Sequence, residues 1–591
     1  MIEGAIRPQW ALLGATFIAI CSFLPLYLAP ASVAEIVKPL FVVLAVSLGL
    51  SWILALCQTT TFGNFILKEA VPGGAMKDPY DTKLYHKFEK FLTLLIKRRF
   101  VTLTTVFVTL VLSLVIMAVM PQSFFPKMNK PYFRADLVFP EGFSIHAVDQ
   151  DVMKVEDYLK NHEKVKSYSV TLGGTPLRYY LASSSFGPKS NYANVMVETK
   201  DPEDAAEVEQ QFYEHMTQNF PNIITRSALF ALSPVPEAAI EIGFIGENPD
   251  TLTALVERAK KIARQCDMVT DIRSNWGDKV PVWKPMFSQQ KGLRLGITRQ
   301  QVANSFRTAT NGLPLGEYRE GDVSLPILLK DEDVEKMNLN DVKSVPVFST
   351  KGNSVKVEQV IDNFALGYDY NVVRRFNRER CMMMQCEPKR GANTMAAFKQ
   401  VLTAVQEQMQ LPEGYKMKYF GEQETQDVSN AALAKNIPLT FLLIYVVLLF
   451  LFPSNYRKPV LIMLMLPLVF IGVVWGLLLF GKSLDFFAIL GLLGLIGMNI
   501  KNAIVLVDEI GLQLKDGKGA VPAVVEATKT RIVPVTMASG TTILGMLPLL
   551  GDAMFAGMAA TIMGGLFVST VLTIFVLPVT YCIFFKIRAD R

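Results

Sequence analysis

Cysteine, histidine and charge are all scarce in this chain of 591 residues. Only 19% of its residues are charged while 51% are hydrophobic, a balance too apolar for an ordinary water-soluble protein. The six cysteines form no CxxC and no Cys/His spacing that suits a metal, so neither a disulfide framework nor a zinc centre is predicted. Three of them (Cys21, Cys57, Cys582) fall in apolar runs and three (Cys266, Cys381, Cys386) outside. Walker, nucleophile-elbow and zinc signatures are missing, which leaves no covalent chemistry and no cofactor to assign. The opening Met1-Ile2-Glu3-Gly4 has no basic stretch leading into a short apolar one, so no signal peptide is expected. A net charge of +6 could suit nucleic acid, but the lysines and arginines gather beside apolar runs, where they act as topology signals.

Long apolar runs are what the chain has in abundance. A bilayer-spanning helix needs about 20 apolar residues. Eight stretches qualify, at roughly 9–28, 34–57, 100–120, 437–453, 459–480, 484–508, 532–551 and 559–585. Basic clusters at Lys68–Arg99, Arg457-Lys458, Lys515/Lys518, Lys529/Arg531 and Lys586/Arg588 all fall on one side if the spans alternate. That side is the cytoplasm, and residues 121–436 lie outside. Between the second and third spans, Tyr80–Leu95 interleaves basic residues with Leu84, Tyr85, Phe88, Phe91 and Leu92 at helical spacing. It reads as a helix along the inner membrane face, and the sequence assigns it no function.

The outer region repeats a pattern. Phe133–Phe139, Ile145–Asn161, Val165–Thr171, Ala193–Glu198, Pro202–Phe220 and Ile223–Leu229 alternate as strand, helix, strand, strand, helix, strand, a βαββαβ unit. The series restarts at Ala239–Phe244, Asp250–Cys266 and Val269–Ser274, then resumes only at Cys381–Gln385, Met395–Met409 and Tyr415–Phe420. The gap between the two parts reads as an inserted domain. Two such units side by side leave a cleft. The long connection Gly173–Asn191 offers Arg178, Tyr179, Tyr180 and Phe186 near it, as a binding loop or as aromatics that pin the loop to its own domain.

One group is costly where it stands. Lys501 sits inside Leu484–Glu509, where an ammonium costs on the order of 2.5–3.5 kcal/mol, so it is expected to face a polar interior. No acid or base near the centre of any span can serve as its counter-ion, Asp508 being seven residues on and close to the surface. The bland alternative is a lysine that snorkels to the interface. Gly491, Gly494 and Gly497 are expected to permit close helix packing. Arg374, Arg375, Arg378 and Arg380 read as a solvated strand edge before a phosphate site. Met382, Met383 and Met384 alternate faces on a strand, so packing explains them better than copper does.

GMNIKNAIVLVDE, RIVPVTMASGTTILGMLPLL and FFPKMNKPYFRADLVFPEG occur in an order and at separations that resemble the permeases of resistance-nodulation-division (RND) efflux pumps, in the hydrophobe/amphiphile branch. The resemblance covers the whole chain but only part of such a permease: the last two helices of its first half and all of its second half. It implies a membrane all-α helical bundle plus a periplasmic α+β region of two ferredoxin-like βαββαβ porter subdomains with an inserted docking subdomain. The expected boundaries are 1–67 and 100–120 for spans, 68–99 for the cytoplasmic segment, 121–236 for the first porter subdomain, 237–280 with 372–436 for the second, 281–371 for the docking insertion and 437–591 for five further spans.

The resemblance also implies a proton relay in which Lys501 neutralises paired aspartates on a helix absent from this chain, with Asn502 beside it. Ala538 stands where the family has a threonine, so Ser539, Thr541 or Thr542 would supply the hydroxyl. By position Val170, Leu172 and Phe230 resemble residues of the deep drug pocket, and the loop bearing Arg178, Tyr179, Tyr180 and Phe186 resembles the switch loop. The implied setting is a homotrimer in the inner membrane of a Gram-negative cell, with a periplasmic adaptor, an outer-membrane channel, membrane lipid and amphiphilic small-molecule cargo as partners, and no nucleic acid or metal. For this chain alone no proton cycle is expected. The rival readings are a heavy-metal or lipid exporter of the same superfamily, and a non-transporting half-protein or remnant.

Overall fold

Apolar helices open the chain: α1 (Gln9–Ser22) runs through Phe23 into α2 (Leu24–Leu28), followed by α3 (Ser32–Ile66), the amphipathic α4 (Lys83–Lys97) and α5 (Arg99–Val119). The structure, a computed structural model, describes residues 9–29, 32–66, 80, 82–123, 130–177, 188–230, 237–331, 341–349, 352–453, 455–552 and 554–587. It forms two units, Met1–Arg273 with Phe376–Arg591, and Ser274–Arg375.

The first α/β subdomain comprises β1 (Tyr132–Val138), α6 (Ile145–Lys160), β2 (Val165–Leu172), β3 (Tyr192–Thr199), α7 (Ala205–Asn219) and β4 (Ile224–Leu229). Strict alternation along β1 turns Phe133, Ala135 and Leu137 inward, where they meet Val148 and Val152 of α6 and Phe212 and Met216 of α7. Each large side chain buried there contributes about 1.5–3 kcal/mol. Ser144 caps α6 by accepting from the Ala147 amide at 3.3 Å, which fixes where the helix starts. The sheet is antiparallel in the order β2-β3-β1-β4.

The pattern then restarts with β5 (Ile240–Ile245), α8 (Pro249–Ala263), capped by Asn248, and β6 (Val269–Ser274). Ser274–Arg375 forms a unit of its own. Here β7 (Lys279–Phe287) pairs with β12 (Ile361–Tyr370), β8 (Leu313–Glu320) with β9 (Val323–Leu329), and β10 (Pro346–Phe348) with β11 (Ser354–Lys356). Its helices are α9 (Gln289–Leu295) and α10 (Arg299–Thr308), and the Thr298/Gln301 capping box starts the second. Ile297, Val302, Val347, Val357 and Ile361 make its core.

After β13 (Arg375–Phe376) the second subdomain resumes with β14 (Glu379–Pro388), α11 (Thr394–Gln408) and β15 (Lys416–Phe420). β14 lies between β6 and β5, and β15 flanks the other edge of β5, which repeats the order of the first sheet. Met382 and Met384 are buried opposite Phe244 and Ile242, as packing requires.

From β15 the chain enters α12 (Gly421–Leu451) without a loop, well before the apolar run begins. Gly421 makes the junction at φ +81°, where an added Cβ would lie 3.0 Å from the Ala239 carbonyl. α13 (Arg457–Leu464), α14 (Val469–Leu479), α15 (Phe486–Lys515), α16 (Ala520–Met546) and α17 (Ala556–Phe584) complete the chain. Among the described residues, eight helical stretches are long and apolar enough to cross a membrane. Helix α17 packs against α14, α15 and α16. Gly472 and Gly476 meet Gly564 so closely that a Cβ on Gly564 would stand 2.4 Å from the Gly476 Cα. Gly491, Gly494 and Gly497 face Met558, Phe23 and Ala19, each leaving an added Cβ no more than 3.0 Å from a neighbouring atom.

Candidate functional site

Several of the buried polar groups of the bundle gather where α15, α16 and α17 meet. Asn499 and Asn502 stand three residues apart on α15, so one face of the helix presents both amides. Thr570 and Thr573 repeat that spacing on α17, and Ser539 comes from α16. The Asn502 amide donates to Ser539 Oγ at 3.4 Å, Thr570 Oγ1 lies 2.6 Å from the same oxygen, and Thr573 Oγ1 lies 3.5 Å from Asn499 Oδ1. All five residues are buried. The resemblance to RND permeases pointed to Asn502 and, among three hydroxyls, to Ser539, but Asn499, Thr570 and Thr573 were missed. The paired three-residue spacing of polar residues within apolar helices was the available signal.

Of the three hydroxyls considered for the relay, Ser539 alone reaches Asn502. Thr541 and Thr542 bond back to the Ala538 carbonyl at 3.0 Å on an outer part of α16. Lys501 departs from expectation: it is exposed, not enclosed by a polar interior. The reason is rotational. The adjacent turn of α15 gives its inward faces to Ile500, Asn502, Ala503 and Ile504, and on the remaining stripe Met498, Val505 and Asp508 are half-buried while Lys501 is exposed. Among those residues no hydrogen bond or ion pair reaches Lys501. Nearer the end of α15, Glu509 is held by Arg531 of α16 through Nε at 3.1 Å and by Gln513 at 2.8 Å.

In the outer region, Val170 and Leu172 of β2 pack half-buried on the first subdomain core. Phe230 is buried and stacks on Tyr132 with ring centroids 5.8 Å apart. Arg178, Tyr179, Tyr180 and Phe186 lie outside the described residues. Ion pairs missed in the sequence join the two α/β subdomains. Arg226 of β4 binds Asp271 of β6 at 2.7 Å, and Asp271 also pairs with Arg273. Arg390, just after β14, grips Glu209 of α7 with two nitrogens at 2.5 and 2.9 Å, donates to Ser227 and covers the Tyr213 ring. Arg226 and Arg390 are far in sequence from the acids they bind, so no spacing motif marks those two pairs.

Close to this junction, Glu241 of β5 is buried, with its carboxylate accepting from Gln385 at 2.8 Å and from the Ala238 amide at 3.2 Å. Burial, partly offset by the Gln385 hydrogen bond, pushes its carboxyl up to about 7. Among the described residues, no cluster of three or more His, Cys, Asp or Glu has metal-binding geometry.

Residues 2–585 match the model of the AcrB/AcrD/AcrF family. The chain is 27% identical over 360 residues to the nickel and cobalt resistance protein CnrA of Cupriavidus metallidurans, covering 59% of this chain and 33% of that protein. It is 23% identical to the multidrug export protein AcrF of Escherichia coli over 97% of this chain and 57% of AcrF. A crystal structure of a heavy metal efflux pump superposes with a TM-score of 0.78 at 18% identity, across 98% of this chain and 58% of that one. The chain thus spans little more than half the length of the relatives that it matches end to end.

Proposed function

Because this chain belongs to the AcrB/AcrD/AcrF family of RND efflux permeases, which are transporters, we propose that it forms the second-half module of a proton-driven exporter of amphiphilic compounds. We read its two α/β subdomains as ferredoxin-like porter units, the unit Ser274–Arg375 as the docking part, and the whole as one subunit of an inner-membrane trimer working with a periplasmic adaptor and an outer-membrane channel. The observation that carries this reading is the bundle site: an exposed lysine within an apolar helix, next in sequence to a buried amide and hydroxyl network. In the proposed cycle, carboxylates supplied by polypeptide outside these residues neutralise Lys501. Their protonation frees the ammonium, α15 shifts against α16 and α17 through the Asn502, Ser539 and Thr570 contacts, and the porter cleft opens or closes. Val170, Leu172 and Phe230, with the connection carrying Arg178, Tyr179, Tyr180 and Phe186, would line the path of the cargo.

Lys501→Met, introduced into the complete pump, is expected to abolish drug resistance at normal expression. Wild-type resistance in that variant would remove the relay role. A metal cargo is the second reading, favoured by the similarity to the nickel and cobalt resistance protein CnrA and to the heavy metal efflux pump. Cells protected against nickel or cobalt but not against dyes and detergents would establish it over the first.

A further inference from the structure

The amphipathic helix α4 buries part of its apolar side in the bundle. Leu92 and Ile96 are fully buried in the bundle core, and Phe88 and Phe91 set their rings 5.6 and 5.4 Å from Phe575 of α17. Its other side is left open and is strongly basic: Lys83, Lys87, Lys90, Lys97 and Arg98 are exposed, and among the described residues none of the four lysines is in an ion pair. A surface groove of ≈ 490 Å³ runs there along His86, Glu89, Lys90, Thr93, Leu94 and Lys97. Immediately beyond Arg98, a second groove of ≈ 480 Å³ follows the first turns of α5 along Phe100, Val101, Thr104, Thr105, Val108 and Thr109. The helices are tightly joined, since Thr102 Oγ1 reaches back to the Leu95 carbonyl at 3.4 Å. In the second groove Thr105 and Thr109 spend their hydroxyls on the carbonyls of Val101 and Thr105, at 3.0 and 2.9 Å, and so present methyl groups. A groove bearing Lys90 and Lys97 on α4 is thus followed, three residues along the chain, by an apolar groove on the first turns of α5.

We propose that the two grooves form one site for an anionic phospholipid of the inner leaflet, with its phosphate at Lys90 and Lys97 and one acyl chain along Phe100, Val101 and Val108. Charge complementarity selects the occupant. The lysines lie at headgroup level on the side that carries the basic clusters, where anionic lipids attract such groups, while the apolar groove lies at chain depth. Glu89 lines the same groove and repels a bare phosphate, but accepts from headgroup hydroxyls, which matches phosphatidylglycerol better than phosphatidic acid.

The test uses the full chain in nanodiscs of phosphatidylcholine doped with phosphatidylglycerol, with the retained lipids counted by native mass spectrometry. The wild type is expected to keep phosphatidylglycerol in preference, Lys90→Glu with Lys97→Glu to lose that preference by about fivefold for each lysine, and Lys90→Arg with Lys97→Arg to retain it. Val108→Trp, which fills the apolar groove without touching the charges, is expected to reduce retention of both lipids. Unchanged preference in the double glutamate variant, or unchanged retention in Val108→Trp should the former not fold, overturns the proposal. So does displacement by millimolar inorganic phosphate, which would mark a phosphate site with no use for an acyl chain. Equal retention of both lipids by the wild type, with the groove shielded from thiol labelling at an introduced cysteine by a second copy of the chain, overturns it as well.

Discussion

At the scale of single residues, free energy is concentrated in a few polar groups that the apolar framework encloses. Glu241 is one. Its folded-state carboxyl titrates near 7 against an ordinary 4.5, so the folded state holds a proton that the unfolded chain has released throughout that interval. The group's contribution is therefore fully favourable below about 4.5 and is lost as the pH rises to about 7, beyond which it stays constant. Glu241→Gln imitates the protonated form. It is expected to flatten the pH dependence of thermal unfolding across that window and to raise stability at alkaline pH by roughly 1–3 kcal/mol. An unfolding midpoint with the same pH slope in both proteins would contradict this. Ser539 is another such group, serving the Asn502 amide and the Thr570 hydroxyl at once. Ser539→Ala is expected to cost about 0.6–1.7 kcal/mol, the range of interhelical side-chain hydrogen bonds in membranes, read as loss of unfolding resistance in detergent. Residue-level foresight from the sequence was uneven for a physical reason. Lys501 is a charged letter in an apolar run and announces itself, whereas Asn502 and Ser539 came from the resemblance to RND permeases. The arginine clamps on Glu209 and Asp271 depend on which strand lies beside which, and nothing local encodes that.

Whole elements were far more legible. Strands β1 to β4 and helix α6 occur within a residue of where alternation and helical spacing put them, because one face of each is buried in a shared core and the pattern records that face. Helix α7 starts three residues late, after a 3-10 turn at Pro202–Asp204. The caps at Ser144 and Asn248 fix two helix starts through local side-chain chemistry that the reading of periodicity did not use. The length of α12 was not legible, since its first turns are amphipathic and hydropathy reports only the apolar part. Helix contacts made through glycine carry a sharper prediction. Gly564 lies where α14 and α17 bring backbone against backbone, with no flexible side chain nearby to yield. Gly564→Val is expected to force the helices apart at a cost of about 1–3 kcal/mol or more, seen as a lower midpoint in thermal unfolding and easier proteolysis of the α13–α14 segment. Gly540, with no heavy atom within 4 Å of an added Cβ, is the matched control and should accept alanine.

For the molecule as a whole, the relation between its parts follows from where its charges are met and where they are not. The two α/β subdomains satisfy theirs on each other, through Arg226 with Asp271 and Arg390 with Glu209, and β15 passes into α12 at Gly421 without a flexible linker. A displacement of that helix would thus be passed directly to the sheet. Within the bundle the balance is different: Lys501 is exposed among the described residues, and the chain spans 57% of a relative that it matches over nearly its whole length. Coupling to protons needs a group whose protonation changes the lysine's electrostatic environment, because a bound proton shifts a conformational equilibrium only by interacting differently with its two states. Liposomes containing only this polypeptide are therefore expected to show no dye efflux when a pH gradient is imposed. Co-reconstitution with a polypeptide that supplies intramembrane carboxylates opposite Lys501 is expected to restore efflux, and Lys501→Met to abolish it again. Dye expelled by the polypeptide alone would mean that the counter-charge comes from within these residues, and Asp508, two helical turns along the same stripe, would be the first acid to replace with asparagine.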